Sequence, residues 1–210
     1  MRDRQKDAAQ IARKKDRIVK MSFRLFSRRG IDAVTMPEIA EASGVARASL
    51  YRYFATKLDL AVAVSARMWG EALRNDDVER LRADHTAGRL YEYFLNRFLF
   101  LYCNHGDMLR YNQFFNVFVA KEGASPDQLR PFEEVIDMIA ARFHVLYLQG
   151  AADGTLRTDI PENEMFSATL HLMLAATTRY AVGLIYNGGV EPIRELELLK
   201  SMLLERYTVG

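Results

Sequence analysis

The sequence predicts an all-α protein, and three observations carry that expectation. Apolar residues recur at three- and four-residue spacing along the chain, the signature of helices buried on one face. No stretch combines sustained period-two alternation with a turn pair such as Asn-Gly, as a half-buried hairpin would. The composition, 50% hydrophobic, 27% charged and 11% aromatic over 210 residues, is that of a globular chain and excludes disorder, collagen and low-complexity architectures. Such a length holds one domain of about 150 residues with a smaller unit, or one larger domain.

The first helix is expected from about Lys14 to Arg29, with Ile18, Met21, Ser22, Leu25 and Phe26 on one face and Gly30 as its stop. Residues 35–38, Thr-Met-Pro-Glu, form a capping-box pattern. The Thr35 hydroxyl accepts from the backbone N–H three residues on, Glu38 reaches back, and Pro37 stands where no intrahelical bond is lost. Ile39 and Ala40 then face inward. Gly44 breaks this second helix and Val45 leads into a third, from about Arg47 to Phe54. A second capping pattern, Thr56-Lys57-Leu58-Asp59, opens a fourth. Short helices with a glycine-containing turn between the second and third make a helix-turn-helix unit.

Charge is distributed unevenly. Residues 1–57 hold 14 Lys and Arg against 6 Asp and Glu, and residues 58–210 hold 15 against 21, so a net charge of +2 divides into +8 and −6. A basic third of this kind fits an anionic partner, either nucleic acid or an acidic membrane surface, or else a solvated helical face. The domain division expected is residues 1–57, with a basic tail over about residues 1–13, and residues 58–210. Arg2, Arg4, Lys6, Arg13, Lys14 and Lys15 make that tail either a minor-groove arm or a frayed, solvated end.

The stretch from Arg17 to Val64, RIVKMSFRLFSRRGIDAVTMPEIAEASGVARASLYRYFATKLDLAVAV, resembles the DNA-binding domain of the tetracycline-repressor (TetR) family of bacterial transcription regulators. The resemblance is carried by Leu25-Phe26 and Gly30, Thr35 before Ile39-Ala40, Gly44-Val45 at the turn, and Leu50-Tyr51-x-Tyr53-Phe54-x-x-Lys57-x-x-Leu60. A later segment, Gly150 to Asp159, is similar to the family's link between its seventh and eighth helices. Elsewhere the likeness is in helical character alone. One departure stands out: the family most often has Ser or Thr where this chain has Ala46, the residue that caps the third helix.

In a helix-turn-helix unit the third helix enters the major groove and reads base edges with its first turn. Leu50 and Phe54 fall on the inward face with Val45, which leaves Arg47, Ser49, Tyr51 and Arg52 projecting outward. Arg47 and Arg52 can each bond guanine O6 and N7 in a fork, and Ser49 is a less selective reader. The resemblance implies that Thr35, Tyr53 and Lys57 contact phosphate and that Tyr51 touches phosphate or a base. Lys57 would do so at the start of the fourth helix, where the dipole favours an anion and a cation needs another reason to be present.

Residues 91–118 hold 10 of the 23 aromatic residues, more aromatic surface than one helical stripe buries. These are core, or in part the lining of an apolar cavity. The resemblance implies an effector pocket in this half for a hydrophobic or aromatic small molecule, with Trp69, Phe98, Tyr102, Tyr111, Phe115, Tyr147 and His171 as candidate lining residues. The run from Met165 to Tyr186 is apolar over a membrane-spanning length, but His171 and Arg179 interrupt it, and Arg179 would be costly inside a bilayer. Burial between its own core and a second copy is the expected alternative. With a last helix from Pro192 to Tyr207, striped by Ile193, Leu196, Leu199, Leu203 and Leu204, it could build a two-fold four-helix interface, and the family dimerises in this way.

Enzymatic signatures are missing: the chain has no P-loop, no GxGxxG after a strand, no HExxH and no GxSxG. One cysteine, Cys103, can form neither an internal disulfide nor a cysteine-based metal site, so no metal and no cofactor are expected. The charged N-terminal segment lacks the apolar stretch of a signal peptide, and a cytoplasmic protein is expected. Taken with the resemblance, the expected function is that of a homodimeric, ligand-responsive regulator, a repressor on a palindromic double-stranded operator. A non-specific architectural DNA binder and a membrane-surface protein are the rival readings.

Overall fold

The computed structural model describes residues 2–74, 81–186 and 188–209, with the side chains of residues 2–7 left aside. Among the described residues the chain forms nine helices and no strand. They are α1 (Arg2–Arg29), α2 (Met36–Ala42), α3 (Arg47–Tyr53), α4 (Lys57–Arg74), α5 (Ala87–Asn104), α6 (Gly106–Glu122), α7 (Pro126–Asp153), α8 (Glu162–Ala181) and α9 (Pro192–Tyr207). The all-α class is as the apolar spacing predicts. The first helix differs from expectation at its start: it begins at Arg2 rather than near Lys14, so the basic tail is helical and continuous with α1. Apolar periodicity marks only the part of a helix that packs on something, and the first turns of α1 have few apolar residues to mark them.

The helices form two compact units, the first made of residues 1–70 and 110–134 and the second of residues 71–109 and 135–210. Neither is a single stretch of sequence, because α6 and the start of α7 return to the first unit. In that unit Ile18 and Phe26 of α1, Ile39 of α2, Leu50 of α3 and Leu60 and Val64 of α4 share one core with Tyr111, Phe115 and Phe118 of α6. Two turns shape it. Gly30 (φ 81°) ends α1, and Gly44 (φ 62°) reverses the chain between α2 and α3, in a backbone region where a Cβ is strained.

The second unit packs Leu90, Tyr91, Leu95 and Phe98 of α5 with Phe143 and Leu146 of α7, Met165 and Met173 of α8, and Leu203 and Tyr207 of α9. The buried Tyr91 ring meets Phe143 and Tyr207 edge-on, and its hydroxyl pairs with that of Thr169 at 2.7 Å. The segment after α7 is the clasp of this unit. Gly150 packs so closely that a Cβ there would lie 2.6 Å from Cβ of Leu156. Asp153 Oδ2 accepts from the Ala87 N–H at 2.7 Å and Thr155 Oγ1 from the Gly88 N–H at 2.9 Å. These bonds cap α5, whose own N-cap residue, Thr86, makes no side-chain cap.

The apolar run from Met165 to Tyr186 is not one helix. α8 ends at Ala181, and Gly183 (φ 78°) turns the chain out of it. No described helix is long and apolar enough to cross a membrane. Nor is the stripe read on α9 a single exposed face. Leu196 and Leu203 are buried and Leu199 and Leu204 half-buried, whereas Leu198 and Met202 point out, 52% and 62% exposed.

Candidate nucleic-acid interface

The second helix starts on local chemistry that the sequence encodes. Glu38 N–H donates to the Thr35 hydroxyl oxygen at 3.4 Å, and the Thr35 backbone N–H donates to Glu38 Oε2 at 2.7 Å, completing the capping box. The Thr35 hydroxyl also donates to Glu38 Oε2 at 2.7 Å, and Arg29 pairs with the other carboxylate oxygen at 2.9 Å. The Thr35 N–H and hydroxyl, followed by Arg29, hold the Glu38 carboxyl down to about 2. Any phosphate contact from the Thr35 hydroxyl therefore competes with Glu38.

α3 starts without a side-chain cap, as Ala46 requires: only its carbonyl takes part, accepting from Ser49 N–H at 2.9 Å and Leu50 N–H at 3.1 Å. Burial of Leu50 beneath the helix supplies the hold that a cap would otherwise add. Around it Arg47, Ala48, Tyr51 and Arg52 are exposed, and Ser49 and Tyr53 are half-buried. The exposed set contains Ala48, which the sequence reading passed over. The same helical wheel that turns Leu50 inward turns Ala48 outward, and a methyl on the first turn suits contact with a thymine methyl.

Arg52 does not stand apart from its neighbour. Its guanidinium donates to the Tyr53 hydroxyl at 3.2 Å and lies 5.2 Å from the ring centre, and Lys15 of α1 lies 5.9 Å from the same ring. Arg17 of α1 donates to the Gly44 carbonyl at 3.2 Å. The two arginines proposed to read guanine are thus unequal. Arg47 is exposed with no ion pair among the described residues, and Arg52 is stacked on an aromatic neighbour.

Lys57 supplies the reason that a cation at a helix start needs. Its ammonium donates to the carbonyls of Ile31 at 2.9 Å, Val34 at 3.2 Å and Asp32 at 3.3 Å, and it lies over the Phe118 ring at 5.4 Å. Three donors meet three carbonyls, which pins the loop after α1 to the start of α4. Two further ties bind α6 into this unit. Tyr111 donates to the Ala61 carbonyl at 2.6 Å, and Lys121 pairs with Asp32 at 2.8 Å.

The seven residues read as possible effector lining fall in both units. In the first, Trp69 is buried on α4. Tyr111 and Phe115 are core, with Tyr111 stacked between Phe26 and Phe115 and burial pushing its phenol pKa well up. In the second, Phe98 is core, Tyr102 meets Tyr180 edge-on at 6.2 Å, and the Tyr147 hydroxyl reaches the carbonyls of Thr158 and Ile160. His171 faces solvent on α8. The second unit also has a groove of about 670 Å³ lined by Arg82, Ala83, Val145, Leu148, Gln149 and Ala152, none of them in that set.

Residues 18–64 match the family model of the bacterial regulatory proteins of the tetR family. No curated protein sequence matches the chain. Among solved structures, a proposed transcriptional regulator from Saccharomonospora viridis in complex with choline aligns with a TM-score of 0.74 at 18% identity, over 95% of this chain and 100% of its own. A TetR/AcrR-family regulator from Thermobifida fusca YX-ER1 aligns with a TM-score of 0.63 at 20% identity, over 90% and 96%. The regulator FadR from Bacillus subtilis in complex with stearoyl-CoA gives 0.65 at 14% identity, over 90% and 96%. The chain therefore has the fold of these regulators, and its residues 18–64, around the α2–α3 turn, match the family's DNA-binding domain.

Proposed function

We propose that the chain is a ligand-responsive repressor that binds a palindromic operator as a homodimer and is released by a small hydrophobic or aromatic effector. The observation that carries the DNA-binding half of this reading is the outward face of α3. It exposes Arg47, Tyr51 and Arg52 in the basic part of the chain, with Lys15 and Arg17 of α1 alongside. Residues 1–57 make up the DNA-binding part and residues 58–210 the ligand-binding and dimerisation part. Arg47 and Ser49 read bases and Arg52 reads or braces Tyr53. Thr35, Tyr51, Tyr53 and Lys57 hold the phosphates, Lys57 by exchanging one of its three carbonyl acceptors for a phosphate oxygen, so that position and sequence are served by different residues.

Dimerisation is supported by apolar surface that one copy leaves in water: Leu172 of α8, Leu198 and Met202 of α9, and Val209 after it are all exposed. Ala168 and Ala175 are exposed with Leu172 on α8 and let a second helix approach closely. An effector role is supported by the ligands of two structural neighbours, choline and stearoyl-CoA, which differ too much to name the ligand here. Trp69, Phe98, Tyr102, Tyr111, Phe115, Tyr147 and His171 are the proposed set from which lining residues come. Effector binding then shifts the population of dimers away from the spacing of two successive major grooves. The protein works in the cytoplasm, where its operator is.

Selection of bound duplexes from a random DNA pool at about physiological salt tests the reading, because non-specific binding is weak there. An enriched palindrome is the expected outcome. A folded protein that binds at low salt and enriches nothing is an architectural DNA binder instead.

A further inference from the structure

Two lysines from different helices meet at one residue of the loop between α1 and α2. Asp32 gives its carbonyl to the Lys57 ammonium at 3.3 Å and its carboxylate oxygen Oδ1 to the Lys121 ammonium at 2.8 Å. Lys57 opens α4, and Lys121 stands in the last turn of α6. The same helix backs this place a second time, because Phe118, about one turn before Lys121, lies under the Lys57 ammonium at 5.4 Å. Of the three carbonyls that Lys57 holds, those of Ile31 and Val34 are partly buried contacts, whereas that of Asp32 is the longest and lies in the open. It is the acceptor that a phosphate oxygen displaces at least cost. A phosphate on Lys57 then arrives beside the Asp32 side chain, which is 54% exposed and carries a charge of the phosphate's own sign. Lys121 cancels that charge. The hydrogen bond to Asp32 pushes the Lys121 pKa up and so keeps its ammonium charged. An ion pair this open adds little to stability, so its effect falls on what binds next to it.

We propose that Lys121 is a positioning residue for DNA binding: by pairing with Asp32 it removes a repelling carboxylate from the edge of the phosphate site at Lys57. The inference rests on the reading of Lys57 as a phosphate contact and deepens it, since that site is then completed by α6, a helix far along the chain from the α2–α3 turn. Lys121 acts through Asp32 and does not itself touch the phosphate. Because a phosphate carries no base information, the effect is the same on every sequence.

The test compares full-length wild type, Lys121→Gln, Asp32→Asn and Asp32→Asn/Lys121→Gln on two duplexes, the operator enriched by selection and a random sequence at low salt. Lys121→Gln leaves Asp32 bare and is expected to bind both duplexes about three- to tenfold more weakly than wild type. Asp32→Asn should bind at least as well as wild type. Adding Asp32→Asn to Lys121→Gln should bring affinity back to within about twofold of wild type, the mark of two coupled neighbours. The thermal midpoints of all four should agree. Lys121→Gln at wild-type affinity would overturn the proposal. So would a double variant as weak as Lys121→Gln, which would put Lys121 on the phosphate itself, or an Asp32→Asn as weak, which would make the pair structural. Wild type that enriches no operator but binds the random duplex would overturn the operator reading alone, and the four affinities on that duplex would still decide this inference. Wild type that binds neither would overturn both.

Discussion

The Tyr111 hydroxyl donates to the backbone carbonyl of Ala61 at 2.6 Å, with both residues fully buried. A residue from α6 is thereby bonded to the second turn of α4, the helix whose first residue holds the loop before α2. Removing that hydroxyl as Tyr111→Phe keeps the ring among Phe23, Phe26 and Phe115 and deletes one buried hydrogen bond. Urea unfolding should show a loss of about 1–2 kcal/mol. A variant as stable as wild type would mean that the bond adds nothing beyond ring packing.

Lys57 and Arg47 should separate cleanly. Lys57→Ala strips three carbonyls of their donor and should lower stability by about 1–3 kcal/mol as well as weakening binding to every duplex. Arg47→Ala, at an exposed site, should leave the thermal midpoint unchanged and relax the base preference at one position per half-site. Equal losses on all sequences for Arg47→Ala would remove it from the base-reading set.

Acid should loosen the helix-turn-helix through Glu38. Its carboxyl has an ordinary value of 4.5 and is held down to about 2 in the folded chain, so its contribution is whole above about pH 4.5 and is lost as pH falls through about 2. The thermal midpoint of Glu38→Gln should lie below that of wild type at pH 7, and the gap should close between about pH 4.5 and 2. A gap that stays constant with pH would assign the effect to shape rather than charge.

Gly150→Ala probes the second unit. A Cβ there would come within 2.6 to 2.8 Å of three Leu156 atoms, one of them the Leu156 Cβ, which cannot move without its backbone. The expected cost is about 1–3 kcal/mol by denaturant unfolding, and the Asp153 and Thr155 caps on α5 should loosen with it, seen as faster amide exchange at Ala87 and Gly88. Wild-type stability would show that the clasp has room to give.

Much of the helix-turn-helix unit is legible in the sequence. Thr35 with Glu38, Gly44, and Thr56 with Asp59 are local signals, each acting within a few residues of itself, and each makes the turn or cap its spacing implies. The same holds for the inward side of α3, because a helical wheel needs only Leu50 to orient it. What the sequence could not reveal depends on residues far apart in the chain. Nothing near Lys57 indicates that its ammonium would be taken up by the loop at 31–34, and nothing near Tyr111 or Phe115 distinguishes a core aromatic from a pocket aromatic. Which helix an apolar face meets is decided by packing across tens of residues. Sequence alone therefore determined the helical class and the recognition helix, through hydrogen bonds and periodicities that close locally. The tertiary structure decided that α6 belongs to the first unit, that Arg52 braces Tyr53, and that α1 overruns its own core, because burial is a property of the assembled fold.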